Sequence, residues 1–143
     1  MKEKISSMAI VIANLKEEKK VLLLNSEGEW VFPKGHVEKN ETYLETAIRE
    51  LKEESDVTVK KEESLGQVDE FKFYFDKEDA LKIIKVFAFE INELREIKYN
   101  KEECFIDGQW FNSDVAIKTL KHDDARNALK KALEVSKEKG IER

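Results

Sequence analysis

Residues 30–57 read WVFPKGHVEKNETYLETAIRELKEESDV. The stretch contains Pro33, the only proline of the chain, and then switches to helical period. Leu44, Ala47, Ile48 and Leu51 recur at i, i+3, i+4 and i+7, the apolar stripe of a helix over 42–55. Thr42 followed by Glu45 has the form of a capping box and predicts where that helix starts. Another side of the helix carries Glu50, Glu53 and Glu54. Like charges at such spacing cost about 0.2–0.5 kcal/mol per pair. They also sit in the last turns, where the helix dipole disfavours anions.

A divalent cation would turn this repulsion into attraction. Three carboxylates supply hard oxygen ligands, suited to Mg2+ or Mn2+ and poorly suited to zinc or copper. Acidic runs are common on solvated helix faces, so the charges alone do not mark a site. The residues upstream do. Pro33-Lys34-Gly35 reads as a tight turn at which backbone approaches a ligand closely, with Lys34 there to meet a phosphate.

Outward from this stretch, 8–13 (MAIVIA) and 21–24 (VLLL) read as two strands, and Trp30 to Phe32 as a short extended piece before the proline. In VDEFKFYF, residues 68–75, Phe71, Phe73 and Phe75 recur at period two, as in a half-buried strand. KIIKVFAFEI, from Lys82, suits a central strand, with Asp76 to Ala80 as the connection, and Gln109 to Phe111 read as one more strand. Ser113 or Asp114 is expected to cap a helix through Leu120, and a second helix is expected from about Asp123 to Lys137, with a frayed tail at about 138–143. The order predicts an α+β fold, a mixed sheet covered on both sides, in a single domain over residues 1–143.

The 143 residues are 41% hydrophobic and 40% charged, with a net charge of −5 and acids and bases intermixed. That leaves no basic face for a nucleic-acid or anionic membrane partner, but it admits a phosphate-bearing small molecule held through a cation. Cys104 is alone, so no disulfide forms within the chain and a reduced, cytoplasmic compartment is expected. No apolar run approaches the ~18 residues of a membrane span, and the N-terminal residues lack the form of a cleavable leader.

From Gly35 the spacing is Gly, five residues, Glu41, seven residues, then Arg49-Glu50-Leu51-Lys52-Glu53-Glu54-Ser55-Asp56-Val57. This resembles the signature of the Nudix hydrolases, with one departure: Asp56 stands where the family has glycine. Asp tolerates the left-handed conformation better than most residues, so a modest loss of stability and no loss of a catalytic group is expected. The resemblance implies an α/β/α sandwich that cleaves pyrophosphate bonds in nucleoside diphosphate derivatives with Mg2+ or Mn2+. Glu50, Glu53 and Glu54 would hold the metal, and Gly35 would add backbone near it. Arg49 would orient the carboxylates, and Glu41 would fix the loop, with Arg49 as its candidate partner. The general base stays open among Glu50, Glu53, Glu102 and Glu103.

Trp30 before Phe-Pro-Lys-Gly-His, with Leu-Glu-Thr-Ala before Arg-Glu, is most similar to the dinucleoside polyphosphate hydrolases, typified by diadenosine tetraphosphate hydrolase. That branch implies phosphate contacts from Lys82 and Lys85 beside Lys34 and His36; solvent-facing charge is the competing reading of the two strand lysines. Tyr43, Phe73, Tyr74 and Phe75 are available for base stacking, and none stands out. The alternatives are hydrolysis of ordinary or oxidised nucleoside triphosphates or of RNA 5′ ends, and a non-catalytic nucleotide-sensing module. A small-molecule nucleotide is the expected partner, with the chain a monomer or homodimer. His122 reads as a surface residue and Cys104 as a small apolar filler.

Overall fold

Strand β1, Lys2–Asn14, organises the rest of the molecule in this computed structural model, which describes the backbone of residues 1–142 and side chains through residue 139. Ala9 to Ala13 are all buried, and their alternation feeds two cores. Met8, Ile10 and Ile12 face one, Ala9, Val11 and Ala13 the other. Burial on both faces explains why MAIVIA is apolar without a break.

β1 runs parallel to β6, Ala80–Ile91, in register from Lys2↔Ala80 to Ala13↔Ile91. β6 in turn pairs antiparallel with β5, Ser64–Phe75, the strand at the end of the sheet. On its other side β1 changes partner. Ser6 to Met8 pair with β4, Lys34–His36, while Ile12 to Asn14 pair with β2, Lys19–Ser26. β2 also carries β3, Glu29–Val31, and β7, Phe105–Asn112. The result is a mixed sheet of seven strands among the described residues.

Helix α1, Tyr43–Ser55, covers one face through Ala47 and Leu51, which meet Val11, Leu22, Leu24, Phe87 and Phe89. α2, Ser113–Thr119, and α3, Asp123–Glu142, cover the other through Ala116, Ala128, Leu129 and Ala132. This is an α/β/α sandwich. Among the described residues no helix is long and apolar enough to cross a membrane.

Several local expectations need correction. Pro33-Lys34-Gly35 is not a tight turn: Lys34 to His36 form a strand, and Gly35 has no positive φ. α2 begins at Ser113 with Asn112, the last residue of β7, at the cap position and no side-chain cap bond, so Ser113 and Asp114 lie inside its first turn. Cys104 is exposed rather than a core filler, because it ends a 3-10 turn over Lys101–Glu103 in the left-handed conformation (φ 68°). α3 continues past Lys137 to Glu142, while the side chains of 140–142 and the whole of residue 143 lie outside the described residues, so the tail expectation falls largely beyond them.

Candidate active site

The placement of the carboxylates starts with the ends of α1. The Thr42 hydroxyl accepts from the Glu45 N–H at 3.1 Å and the Glu45 carboxylate accepts from the Thr42 N–H at 2.8 Å, closing the capping box. At the other end Asp56 adopts φ 63° and donates its N–H to the Lys52 carbonyl at 2.9 Å. A helix end leaves four carbonyls without intrahelical donors. The remaining three are met from a distant segment. Glu53 accepts from the Asn100 side-chain amide (3.0 Å), Glu54 from the Asn100 N–H (3.0 Å) and Ser55 from the Lys98 N–H (2.9 Å). Donors therefore offset part of the negative end of the helix, against which the acids stand.

Arg49 orders the acids. Its guanidinium grips Glu41 with two bonds, at 2.7 and 3.0 Å, and donates to Glu50 at 2.7 Å and Glu53 at 3.2 Å. It also donates to the carbonyl of His36 at 2.9 Å and lies 3.3 Å from Glu38. Glu41 further accepts from the Thr46 hydroxyl at 2.6 Å. The Arg49 guanidinium holds the Glu41 carboxyl at about 2, well below the usual range.

Glu50 and Glu54 are buried, while Glu53 keeps 46% of its side chain exposed beside Arg49. Burial first, and then the adjoining Glu50 carboxylate, to which the protonated Glu54 can donate, push the Glu54 carboxyl up; Glu103 adds to this, and the Lys34 N–H at 3.3 Å opposes it. Gly35 is held against the same acids by the β1–β4 pairing. A Cβ there would lie 2.0 Å from the Glu50 carboxyl carbon, so any larger residue would displace that carboxylate.

These groups surround a cleft of about 520 Å³. Its lining includes the acids Glu50, Glu54 and Glu103 and the bases Lys34 and Lys82, the latter paired with Glu78 at 3.2 Å. Each lysine stands over an aromatic ring, Lys34 over Phe73 (6.0 Å) and Lys82 over Phe75 (5.2 Å). Desolvation and then Lys82 draw the Lys34 ammonium down, opposed by Glu54 and Glu29. Beyond Lys34 and Phe73 opens a second cavity of about 400 Å³, walled by Trp30, Phe71 and Leu120.

Of the residues singled out in the sequence, Lys34, Gly35, His36, Glu50, Glu54 and Lys82 line one cleft. Glu41, Arg49 and Glu53 form the adjoining network. Lys85 does not line the cleft; it pairs with Glu70 at 2.6 Å under the Tyr43 ring, on the α1 side of the sheet. His36 rests against the Ser6 hydroxyl at 3.4 Å, and His122 is exposed beside Glu29. Glu103 reaches the cleft and Glu102 does not. Sequence reasoning missed Glu38, Thr46 and Asn100. Only Asn100 left a signal, as an Asn ahead of Lys-Glu-Glu able to cap a turn.

A hard divalent cation fits this donor set. Two buried, adjoining carboxylates are ill-suited to carry their charges alone, and both are oxygen donors beside an open glycine backbone. Among the described residues no three acidic, histidine or cysteine side chains already converge on one point; Glu50 and Glu53 both accept from Arg49.

Comparison with known proteins adds the family. The model of the NUDIX domain matches residues 5–133. No curated protein matches the sequence significantly. Among solved structures, the Ap4A hydrolase of C. elegans in a binary complex is 22% identical at a TM-score of 0.71, covering 90% of this chain and 93% of that one. The NUDIX domain of Shewanella oneidensis NrtR, complexed with ADP ribose, is 15% identical at 0.77, covering 94% and 88%. A MutT/nudix family protein from Enterococcus faecalis is 23% identical at 0.67; it covers 78% of this chain, which spans only 44% of that protein. At these identities the structural likeness is one of fold. The family match spans most of the chain, and with it the protein belongs to the NUDIX domain family, as a pyrophosphohydrolase of the Nudix kind, a class that generally works with divalent metal such as Mg2+.

Proposed function

We propose that this chain hydrolyses a pyrophosphate bond in a dinucleoside polyphosphate such as diadenosine tetraphosphate, with Mg2+ or Mn2+. The observation that carries this reading is that one cleft is lined by both Glu50, Glu54 and Glu103 and Lys34 and Lys82, with a largely apolar cavity opening beside it. A polyphosphate needs cations on every side. Lys34 and Lys82 supply two, and Glu50, Glu53 and Glu54, with the Gly35 backbone, would hold the metal. When bound, the metal neutralises the phosphate oxygens and lowers the pKa of the attacking water.

The chain's own residues do the rest. Arg49 keeps Glu50 and Glu53 aimed, and Glu41 keeps Arg49 from swinging away. In this reading Glu103 takes the proton of the attacking water, a role supported by its being the one of Glu102 and Glu103 that lines the cleft. The motif form around Trp30 supports the dinucleotide over other Nudix substrates, and the C. elegans Ap4A hydrolase shares the fold. The same reading takes residues 1–143 as one domain working on a small nucleotide in the cytoplasm, without a nucleic-acid partner.

The test is turnover of a panel with Mg2+ or Mn2+: diadenosine tetraphosphate, ATP, 8-oxo-dGTP, ADP-ribose and triphosphate-ended RNA. Release of ATP plus AMP from the dinucleotide, abolished in Glu53→Gln and Glu54→Gln, is the expected result. Faster turnover of another panel member would overturn the substrate assignment. Binding of a nucleotide without turnover would favour a sensing module.

A further inference from the structure

Glu103 stands on a loop, yet a proton acceptor must be held to within a fraction of an ångström of its working place. The loop around it is fastened upstream. Arg95 binds Glu63 at 2.7 Å and the Thr58 carbonyl at 2.7 Å, and the Trp110 indole N–H donates to the Arg95 carbonyl at 2.9 Å. None of these contacts reaches residues 100–104.

Asn100 does. Its backbone N–H and its side-chain amide donate to the carbonyls of Glu54 and Glu53, closing the end of α1. Its side-chain oxygen accepts from the Glu102 N–H at 3.0 Å and starts the 3-10 turn over Lys101–Glu103. Its own carbonyl accepts from the Glu103 N–H at 3.1 Å. One residue thus ends the helix that carries the acids and begins the turn that carries the proton acceptor.

We propose that Asn100 is a positioning residue for hydrolysis: by tying the turn to the end of α1 it fixes Glu103 at the cleft beside Glu50 and Glu54. The inference rests on the reading of Glu103 as general base. The side-chain bond to Glu53 is the link that a substitution cuts, because it holds the Asn100 side chain to the helix while its oxygen holds the turn; the backbone bonds to Glu54 and Ser55 remain. The upstream anchors keep the fold intact when that link is cut.

The test compares wild type, Asn100→Ala, Asn100→Asp, Glu103→Gln and the Asn100→Ala/Glu103→Gln double variant, each checked by thermal unfolding. Asn100→Ala is expected to lower kcat about 10- to 100-fold, the scale of a small misplacement. KM should stay within about twofold, as for an interaction used only in the transition state. Glu103→Gln is expected to lower kcat about 100-fold or more. Adding Asn100→Ala to it should change nothing further. Asn100→Asp keeps the bond from Glu102 but cannot donate to Glu53, so its rate should match that of Asn100→Ala. Amide hydrogen exchange at Glu103 and Cys104 should quicken in Asn100→Ala, with the α1 interior still protected.

Equal losses from Asn100→Ala in the wild-type and Glu103→Gln backgrounds would overturn the proposal, as would a wild-type rate in Asn100→Asp. Unchanged exchange at Glu103 and Cys104 would do the same. Normal turnover by Glu103→Gln would remove the base assignment and this inference with it. The exchange measurement needs no substrate, so a wild type inactive on the whole panel would sink the proposed function while the placement of Glu103 is still decided.

Discussion

Gly35 owes its identity to the carboxylate it faces. With a Cβ 2.0 Å from the Glu50 carboxyl carbon, Gly35→Ala must push Glu50 away from the cleft. The atoms met are the far end of a side chain that can give way, so the cost in stability should fall at the low end of the roughly 1–3 kcal/mol of overpacking. The displaced acid should lower kcat about 100-fold, and denaturant unfolding with steady-state kinetics would measure both. Asp56 is the opposite case. It holds φ 63° with only an exposed ion pair to Lys52 in return, so Asp56→Gly should raise stability by roughly 0.5–1 kcal/mol and leave kcat unchanged. A lower unfolding midpoint in that variant would count against the strain argument. Motif spacing located both positions, but only one reason. The left-handed cap at 56 was legible because it is local, whereas the need at 35 lies in a strand pairing and in an acid fifteen positions on, which no turn rule describes.

Helix α1 was legible almost to the residue, since its capping box and its end are written in neighbouring side chains. Thr42→Ala should cost about 1 kcal/mol, read as a shift in unfolding midpoint at constant m-value. The Glu41–Arg49 bridge has a pH signature. The Glu41 carboxyl is lowered in the folded state from 4.5 to about 2, so its contribution is complete above about pH 4.5 and is lost as pH falls towards 2. Stability measured against pH in Glu41→Gln should show a shallower acid limb than wild type, and parallel curves would refute the assignment. Elements whose limits depend on distant partners were read less well. The polar start of β1, KEKISS, is strand because β6 lies alongside it, and the half-buried strand expected at Phe73 and Phe75 lines the cleft, its rings beneath Lys34 and Lys82. Asn100 could not be read as a helix cap at all, its partner Glu53 being 47 positions away.

At the scale of the whole molecule the acids make stability, metal and pH one problem. Burial and Glu50 raise the Glu54 carboxyl, so its favourable contribution is full below the unfolded pKa and is lost as pH rises through the folded one. The metal-free protein should therefore lose stability across the neutral range, and the gain in melting temperature on adding Mg2+ should grow with pH. Melting curves in chelator and in Mg2+ between pH 5 and 9, for wild type and Glu54→Gln, would decide it, since the variant should show a flatter dependence. The parallel pairing of β1 with β6 has a consequence for the order of events in synthesis. α1 leaves the ribosome well before Ala80–Ile91, which flank β1, and before Asn100, which caps α1. A nascent chain that stops short of them already carries the whole signature, yet it has neither cleft nor closed helix end. Closure over so long a sequence separation is slow, and until it occurs the acids repel one another on a tethered, half-made domain.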